Sequence, residues 1–578
     1  MTLSNLDFAL LGAFFLLSLL IGVFLSKKSG SSSRSFFLSD SNMPWWLLGV
    51  SMVATTFAVD TPNLVSGIIR KDGVAGNWVW WSFLLTGMLT VFFYAKLWRK
   101  SGITTDLEFY EMRYSGKSAA FLRGFRAIYL GVFFNVVIMA NVCVAAIKIG
   151  HVMFGFSKYE TLLIASVITV LYSMLGGLKG VIVTDFVQFI IAMVGSIWAS
   201  IYIVNLPQIG SLDVLFSNDL VQSKTAMMPD FGNPAVFVPI FLVPLAVQWW
   251  SVWYPGSEPG GGGYIAQRML AAKNEKHATW AVLFFNFAHY AIRPWPWIVI
   301  GLASLIVFPD LTSLQSAFSD LDPSYIKDDL SYPAMLTFLP SGLLGLVFTS
   351  LVAAFMSTIS THLNWGSSYV VNDFYVRFLD KNASEKSKVA VGRVATFLLM
   401  IFAALIALYV LEDAKESFDL LLQIGAGTGL LFILRWFWSR INPYSEIAGM
   451  VISFAIALLF FVDGKMETPF FDFLEDYQKL IVGVVVTTLG WVITSLVTKP
   501  SKQETLDAFN EKIFGGEAKK LSNFKYKITA FFVGTIAIYC ALFAIGNFIY
   551  GNLLYGWLLL LVFVVSFILI YRMKKYLF

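Results

Sequence analysis

The stretch FALLGAFFLLSLLIGVFL, residues 8–25, is an unbroken apolar run long enough to cross a bilayer hydrocarbon core of about 30 Å. Runs of about 20 such residues recur to the end of the chain, and they constrain the fold more tightly than any motif. Inside lipid, backbone amides and carbonyls must be satisfied within the protein, so runs of this length predict helices. Composition agrees: 57% of the 578 residues are hydrophobic and 13% are charged, where soluble domains carry about 25% charged residues. The expected class is an all-α integral membrane protein, which excludes a soluble domain with a single anchor. No basic residue precedes the first run and no small-residue cleavage site follows it, so it reads as a retained helix rather than a signal peptide.

About fifteen spans are expected, at roughly 8–25, 45–69, 77–98, 122–152, 160–178, 181–206, 236–256, 278–308, 340–378, 392–411, 418–438, 444–462, 479–498, 526–548 and 552–573. Alternate loops are basic. They carry Lys27, Lys28 and Arg34, then Arg99, Lys100, Arg113, Lys117 and Arg123, then Arg268, Lys273 and Lys276, with later clusters around Lys386, Arg435 and Lys574. Those loops should face the cytoplasm. The intervening loops are acidic or neutral: 310–332 holds Asp310, Asp320, Asp322, Asp328 and Asp329 against Lys327 alone. The N-terminus is therefore placed outside and the C-terminus inside. In the cytoplasmic loop at about 499–527, ETLDAFNEKIFGG reads as a surface helix. Cys143 and Cys540 both lie in apolar runs, which argues against a disulfide framework.

Two spans look interrupted. SMVATTFAVDTPNLVSG places Thr55, Thr56, Asp60, Thr61, Pro62 and Asn63 at membrane depth, where proline frees backbone carbonyls and a carboxylate is costly unless solvated or paired. VPLAVQWWSVWYPGSEPGGGGYIAQR combines Pro244, Gln248, Pro255, Gly256 and a glycine run. Each broken span is followed by four more, and the two cross in opposite directions. That is the hydropathy signature of a five-plus-five inverted repeat in which broken helices frame a binding site. The corresponding division is a leading helix and loop at 1–40, a first repeat at 41–210, a second at 211–442, and additional helices at 443–578.

In AAFMSTISTHLNW, residues 353–365, Ala354, Ser357, Thr358 and Thr361 share one helical face, with Ser360 beside it. Hydroxyl and carbonyl oxygens suit hard cations. Such hydroxyls also bond back to carbonyls or join helices, so both readings stand at this point. Asp185, with Gln188, follows a tight Gly176-Gly177 turn in YSMLGGLKGVIVTDFVQ. An intramembrane acid is a functional candidate, and the alternative is a helix N-terminal cap.

YSMLGGLKGVIVTDFVQ resembles the signature of the sodium:solute symporter family, which includes carriers of glucose, proline and sialic acid. LVAAFMSTISTHLNWGSSYVVNDFY resembles that family's eighth core helix, and YIAQRMLAAK its loop after the sixth. Together with the span pattern the likeness covers roughly residues 1–450, with Gly180 departing from the usual Ser, Ala or Pro. The resemblance implies a LeuT-like five-plus-five core and sodium ions as co-transported cargo. It assigns a first sodium site to the carbonyls of Ala54, Phe57 and Ala354 and the hydroxyls of Ser357 and Thr358. A second site, present in some members, maps onto Asp185, Ser360 and Thr361, and the complete set implies two ions per cycle.

Thr56, Ala58 and Thr61 align with family positions that face the substrate. Trp80 in the aromatic run 77–81, Asn141, Gln248 and Arg293 are further substrate candidates, while Asn135 and Asn141 also suit bonds between helices. Trp249, Trp250, Trp253 and Tyr254 fit either a gate or an interfacial belt. Arg293, in FAHYAIRPWPW, cannot lose its charge, so it needs Asp60, Glu258 or a substrate carboxylate as partner. If it reaches the pocket, acidic or zwitterionic substrates are favoured over neutral sugars. His289 and His362 read as packed, hydrogen-bonded side chains.

The expected function is sodium-coupled symport of a small polar solute by alternating access, in a multi-pass plasma-membrane protein acting as a monomer or loose oligomer. No GxxxxGK[ST] loop, HExxH pair or Cys/His spacing supports an enzyme or an ATP-driven pump, and no nucleic-acid partner is expected. The alternatives are proton coupling through Asp185 and a transporter-derived sensor.

Overall fold

The computed structural model describes residues 4–577 apart from residues 57 and 521 and the segments 253–257, 320–325, 412–422 and 517–519; the side chains of residues 28, 152, 154 and 250 are likewise outside the description. The described residues form helices joined by turns, with one isolated bridge between Met43 and Ala272. Eleven of these helices are long and apolar enough to cross a membrane. The expected spans 160–178 and 181–206 form one run, Lys158–Val204, bent where Gly177 takes φ 54° and ψ −164°. A Cβ there would lie 2.8 Å from the Phe36 carbonyl oxygen, so the bend requires glycine. The expected span 418–438 begins outside the described residues and contains the short helix Gly429–Leu434.

Seven elements surround or build the site: α1 (Asn5–Ser29), α2 (Trp45–Thr55), α3 (Thr61–Asp72), α4 (Asn135–Phe154), α5 (Lys158–Val204), α6 (Gly263–Ala271) and α7 (Leu343–Tyr369). The first interrupted span is α2 followed by α3. At its break the Thr55 hydroxyl turns back on the Ser51 carbonyl at 2.9 Å, and that of Thr56 on the carbonyls of Met52 and Val53. Pro62 then sits in the first turn of α3, where its missing N–H costs nothing. Asp60 stands just before α3 but makes no side-chain cap bond.

The second interrupted span begins as the short apolar helix Pro234–Ala246 and tightens into a 3-10 turn at Gln248–Trp250. Among the described residues the next helix is α6, which follows Gly260 and Gly261 at φ 85° and 98°. Those left-handed positions fold the chain back, and α6 is buried along nearly all of its length.

The helix run containing α7, Leu343–Leu379, has 89% of its most apolar window buried, against 17% for the first and last spans. α7 is therefore the core of the bundle, packed along α5, while residues such as Phe24, Leu554 and Leu561 form an outward apolar surface. The expected surface helix is present as Gln503–Phe514. It buries Leu506, Phe509 and Ile513, with the Phe509 ring edge-on to Phe109 at 5.8 Å. Cys143 and Cys540 are both free.

Candidate functional site

α7 passes the broken end of α2 and the second limb of α5, and its hydroxyls converge with Asp185. Thr358 donates to the Thr55 carbonyl at 2.9 Å, and Thr361 Oγ1 lies 3.0 Å from Thr55 Oγ1. Ser357 donates to Asp185 Oδ1 at 2.7 Å, and Ser51 of α2 donates to Asp185 Oδ2 at 2.5 Å. Asp185, Ser357, Ser360 and Thr361 are fully buried. Asp185 is thus not a helix cap: both its oxygens bond to other helices. Ser360 is placed differently, with its hydroxyl returned to the Ser357 carbonyl at 3.1 Å.

Of the residues assigned to the first sodium site, Ala54 is buried near the end of α2 and Ala354 one turn before Thr358. Phe57 lies outside the described residues. The two hydroxyl donors have different partners, Ser357 the carboxylate and Thr358 the α2 terminus, so Ser357 joins the two assigned sets. The site offers carbonyls and hydroxyls without a buried net charge on the α2 side, and a carboxylate on the α5 side. Oxygen sets of this kind suit a hard monovalent cation.

Arg268, on α6, has a place here that the sequence did not reveal. Its guanidinium lies within the Asp185 set. Nη2 donates to Thr361 Oγ1 at 2.6 Å and is 3.7 Å from Asp185 Oδ2, and Nε donates to Ser51 Oγ at 3.2 Å. Neither side chain of the Arg268–Asp185 pair is exposed to solvent. The adjacent Gln267 fixes α6 by donating to Asn364 Oδ1 at 2.9 Å and to the Phe37 carbonyl at 3.1 Å.

Beside these oxygens lies a cavity of about 230 Å³. Thr55 and Thr358 belong both to its wall and to the cation constellation. Of the expected substrate residues, Thr56, Ala58, Thr61, Trp80, Asn141 and Arg293 line it. Gln248 does not; its Nε2 donates to the Val79 carbonyl at 2.6 Å and ties the second interrupted span to the aromatic run at 77–81. Asn135 is also a helix fastener, bonded to the carbonyls of Gly131 and His362.

His289 and His362 are hydrogen-bonded as expected, to Thr56 at 3.1 Å and to Asn135 at 2.6 Å, yet both stand in the cavity wall. Tyr290 stacks on Trp80 with ring centroids 5.9 Å apart. The wall is rich in unused acceptors: Asp60 Oδ1, Asn141 Oδ1, Asn286 Oδ1 and Glu258 Oε2 are buried without a hydrogen-bond partner. A buried acceptor left unpaired costs about 1–3 kcal/mol, so an occupant bringing donors would relieve several such penalties at once.

Arg293 donates weakly to Thr56 Oγ1 at 3.4 Å and to the Val53 carbonyl at 3.5 Å, and lies over the Trp297 ring at 5.1 Å. Of its candidate partners, Glu258 pairs with Arg126. Arg126 reaches Glu446 at 3.8 Å, and Glu446 in turn meets Arg435 at 3.5 Å and accepts from Tyr114 at 2.7 Å. Asp60 instead shares the cavity wall with Arg293. Acid and guanidinium thus face one compartment.

Two interrupted helices, a buried oxygen constellation and an adjoining cavity with polar groups in its wall, within a multi-helix membrane bundle, are the arrangement of a solute carrier. The sodium:solute symporter family model matches residues 36–453, and the chain belongs to that family. It is 26% identical over 513 residues to a sodium/glucose cotransporter of Vibrio parahaemolyticus, covering 86% of this chain and 91% of the relative. It is 24% identical over 531 residues to the sodium/sialic acid symporter SiaT of Proteus mirabilis, covering 87% and 97%. The structure of a substrate-bound, outward-open sodium-coupled sialic acid symporter shares the fold, with a TM-score of 0.68 at 22% identity over 86% of this chain and 99% of that one. The protein is therefore a multi-pass membrane transporter of the sodium-coupled class, with sodium as a co-transported ion.

Proposed function

We propose that this chain moves a small polar solute that is zwitterionic or acidic, together with two sodium ions, by alternating access. The observation that carries this reading is the shared wall: Thr55 and Thr358 belong to the cation constellation and to the solute cavity, so an ion bound there would also shape the cavity. The first ion is assigned to Ala54, Phe57, Ala354, Ser357 and Thr358, and the second to Asp185 and Thr361 with Ser360 behind them. Sodium entering down its gradient supplies about 2.3 kcal/mol per charge per 100 mV of membrane potential, and a second ion doubles that drive.

The solute class follows from the walls. Arg293 offers a carboxylate a charged donor, and Asp60, Asn141 and Asn286 offer acceptors to ammonium or hydroxyl groups. Thr56, Ala58, Thr61 and Trp80 complete the contact surface. Among the solutes named for the relatives, sialic acid carries a carboxylate whereas glucose and myo-inositol do not. The remaining assignments are about fifteen spans, the N-terminus outside, the C-terminus inside, residence in the plasma membrane, the two repeats at 41–210 and 211–442, and a monomer or loose oligomer.

Uptake into proteoliposomes, screened over sugars, amino acids, sialic acids and short carboxylates with and without a sodium gradient, tests the proposal. Sodium-dependent uptake of a carboxylate-bearing solute, weakened selectively by Arg293→Gln, is expected. Equal uptake in sodium-free buffer under a pH gradient would assign the coupling to protons.

A further inference from the structure

The Asp185 set is already occupied by a cation of the protein itself. Arg268 takes up the Thr361 hydroxyl at 2.6 Å, approaches Asp185 Oδ2 at 3.7 Å and holds Ser51 at 3.2 Å. Thr361 and Asp185 are the ligands assigned to the second sodium, so a guanidinium and a sodium ion would compete for the same oxygens and repel each other at close range in a buried site. A buried carboxylate without a counter-charge is strongly disfavoured, so either cation serves and both together do not. Gln188, one turn beyond Asp185 on α5, is nearly fully buried, and both its polar atoms lack partners. The neighbourhood therefore holds polar capacity that Arg268 does not use.

We propose that Arg268 is the resident counter-cation of the second sodium site: it fills the place of that ion in this conformation and withdraws when sodium arrives. This rests on the two-ion reading above. Withdrawal has a mechanical consequence, because Arg268 lies one helical turn from Tyr264 on the same face of α6. Tyr264 lines the solute cavity, with its ring 5.9 Å from His362 of α7. α6 follows Gly260 and Gly261, at φ 85° and 98°, and a displacement of α6 would pivot there. Exchange of guanidinium for sodium at Asp185 thus moves the helix that carries a wall of the solute site. Arg268 sets the apparent affinity for the second ion, because the site binds sodium only in the fraction of molecules from which the guanidinium has left.

Radioactive sodium binding to the purified full chain in nanodiscs provides the test. Arg268→Gln removes the competitor and is expected to lower the half-saturating sodium concentration of the second site about tenfold, within the usual range of site-to-site coupling. Arg268→Lys keeps a cation and is expected to shift it less than about threefold. Unchanged half-saturation in Arg268→Gln overturns the proposal. A variant that keeps Arg268 covers the case in which Arg268→Gln does not fold. Sodium is expected to change the rate of maleimide labelling of Tyr264→Cys about threefold or more, and to lose that effect when Asp185→Asn is added. Labelling that ignores sodium, or responds equally without the carboxylate, also overturns it. Wild-type protein that binds no sodium sinks the symport reading itself and wild type that binds a single ion sinks the two-ion reading, whereas wild type and Arg268→Gln each binding two ions with equal affinities sinks only the role given to Arg268.

Discussion

The two oxygen sets on α7 lie within two helical turns of each other and differ in charge. The set near the α2 terminus is made of hydroxyls and carbonyls, and its Thr358 hydroxyl donates to the neighbouring Thr55 carbonyl. The set around Asp185 carries a formal charge, which Arg268 compensates in this structure. A neutral site can be vacated at little electrostatic cost, and a buried charged one needs a substitute cation. Under the two-ion proposal this contrast would give the ions different tasks: the first would bind beside the solute, sharing Thr358 with the cavity wall, and the second would bind by exchange against the Arg268 side chain of α6.

The comparison is most sharply tested by removing the charge. Asp185→Ala leaves the Arg268 guanidinium buried without its carboxylate and is expected to destabilise the protein by about 3–5 kcal/mol, read by thermal unfolding in detergent. Adding Arg268→Met should recover most of that loss, because two well-packed neutral side chains replace the pair. A single Asp185→Ala variant as stable as the wild type would mean that the pair contributes nothing, and the distinction between the sets would fall.

Thr358→Ala removes one of the neutral ligands proposed for the first ion from the shared wall. A lost hydrogen-bonding ligand of about 1.5 kcal/mol corresponds to roughly a tenfold rise in half-saturating sodium. The solute's half-saturating concentration should rise as well, because Thr358 also lines the cavity, and the steepness of the sodium dependence should stay as it was. Thr361→Ala is expected to behave in the opposite sense. It should lower the sodium Hill coefficient towards one and leave solute half-saturation within about twofold, because Thr361 is not part of the cavity wall. If both variants moved solute and sodium parameters together, the two sets would be a single site.

Much of this was legible in the chain. Pro62 and the threonines before it marked the first break, the glycine run marked the second, and Gly176-Gly177 marked the bend in α5. Each of these residues acts through its own backbone or side chain, so sequence suffices to see it. The hydroxyl cluster was visible for the same reason, since helical spacing alone puts Ala354, Ser357, Thr358 and Thr361 on one face. What stayed hidden were pairings between distant segments. Arg268 counted as a charge of a basic loop, together with Lys273 and Lys276, because loop charge is tallied without reference to where the chain folds back. The left-handed turns at Gly260 and Gly261 return α6 to the interior and bury the arginine completely. Glu258, a candidate partner for Arg293 by sequence, pairs instead with Arg126, a residue that no motif singles out.

The smallest effect is expected at Ser360, and it separates proximity in sequence from participation in the site. Ser360 and Thr361 are neighbours on α7, and the family resemblance assigns both to the second ion. In the structure the Thr361 hydroxyl faces Arg268 and Thr55, while the Ser360 hydroxyl is engaged by the Ser357 carbonyl of its own helix. A hydroxyl bonded back to its own helix is replaced by alanine at little cost, because the carbonyl keeps its main-chain partner. Ser360→Ala is therefore expected to change half-saturating sodium less than about twofold and to leave the Hill coefficient as in the wild type. Thr361→Ala, by contrast, should reduce that coefficient. A Ser360→Ala variant as impaired as Thr361→Ala would show that the hydroxyl swings to the ion once Arg268 withdraws, and would extend the second set by one ligand.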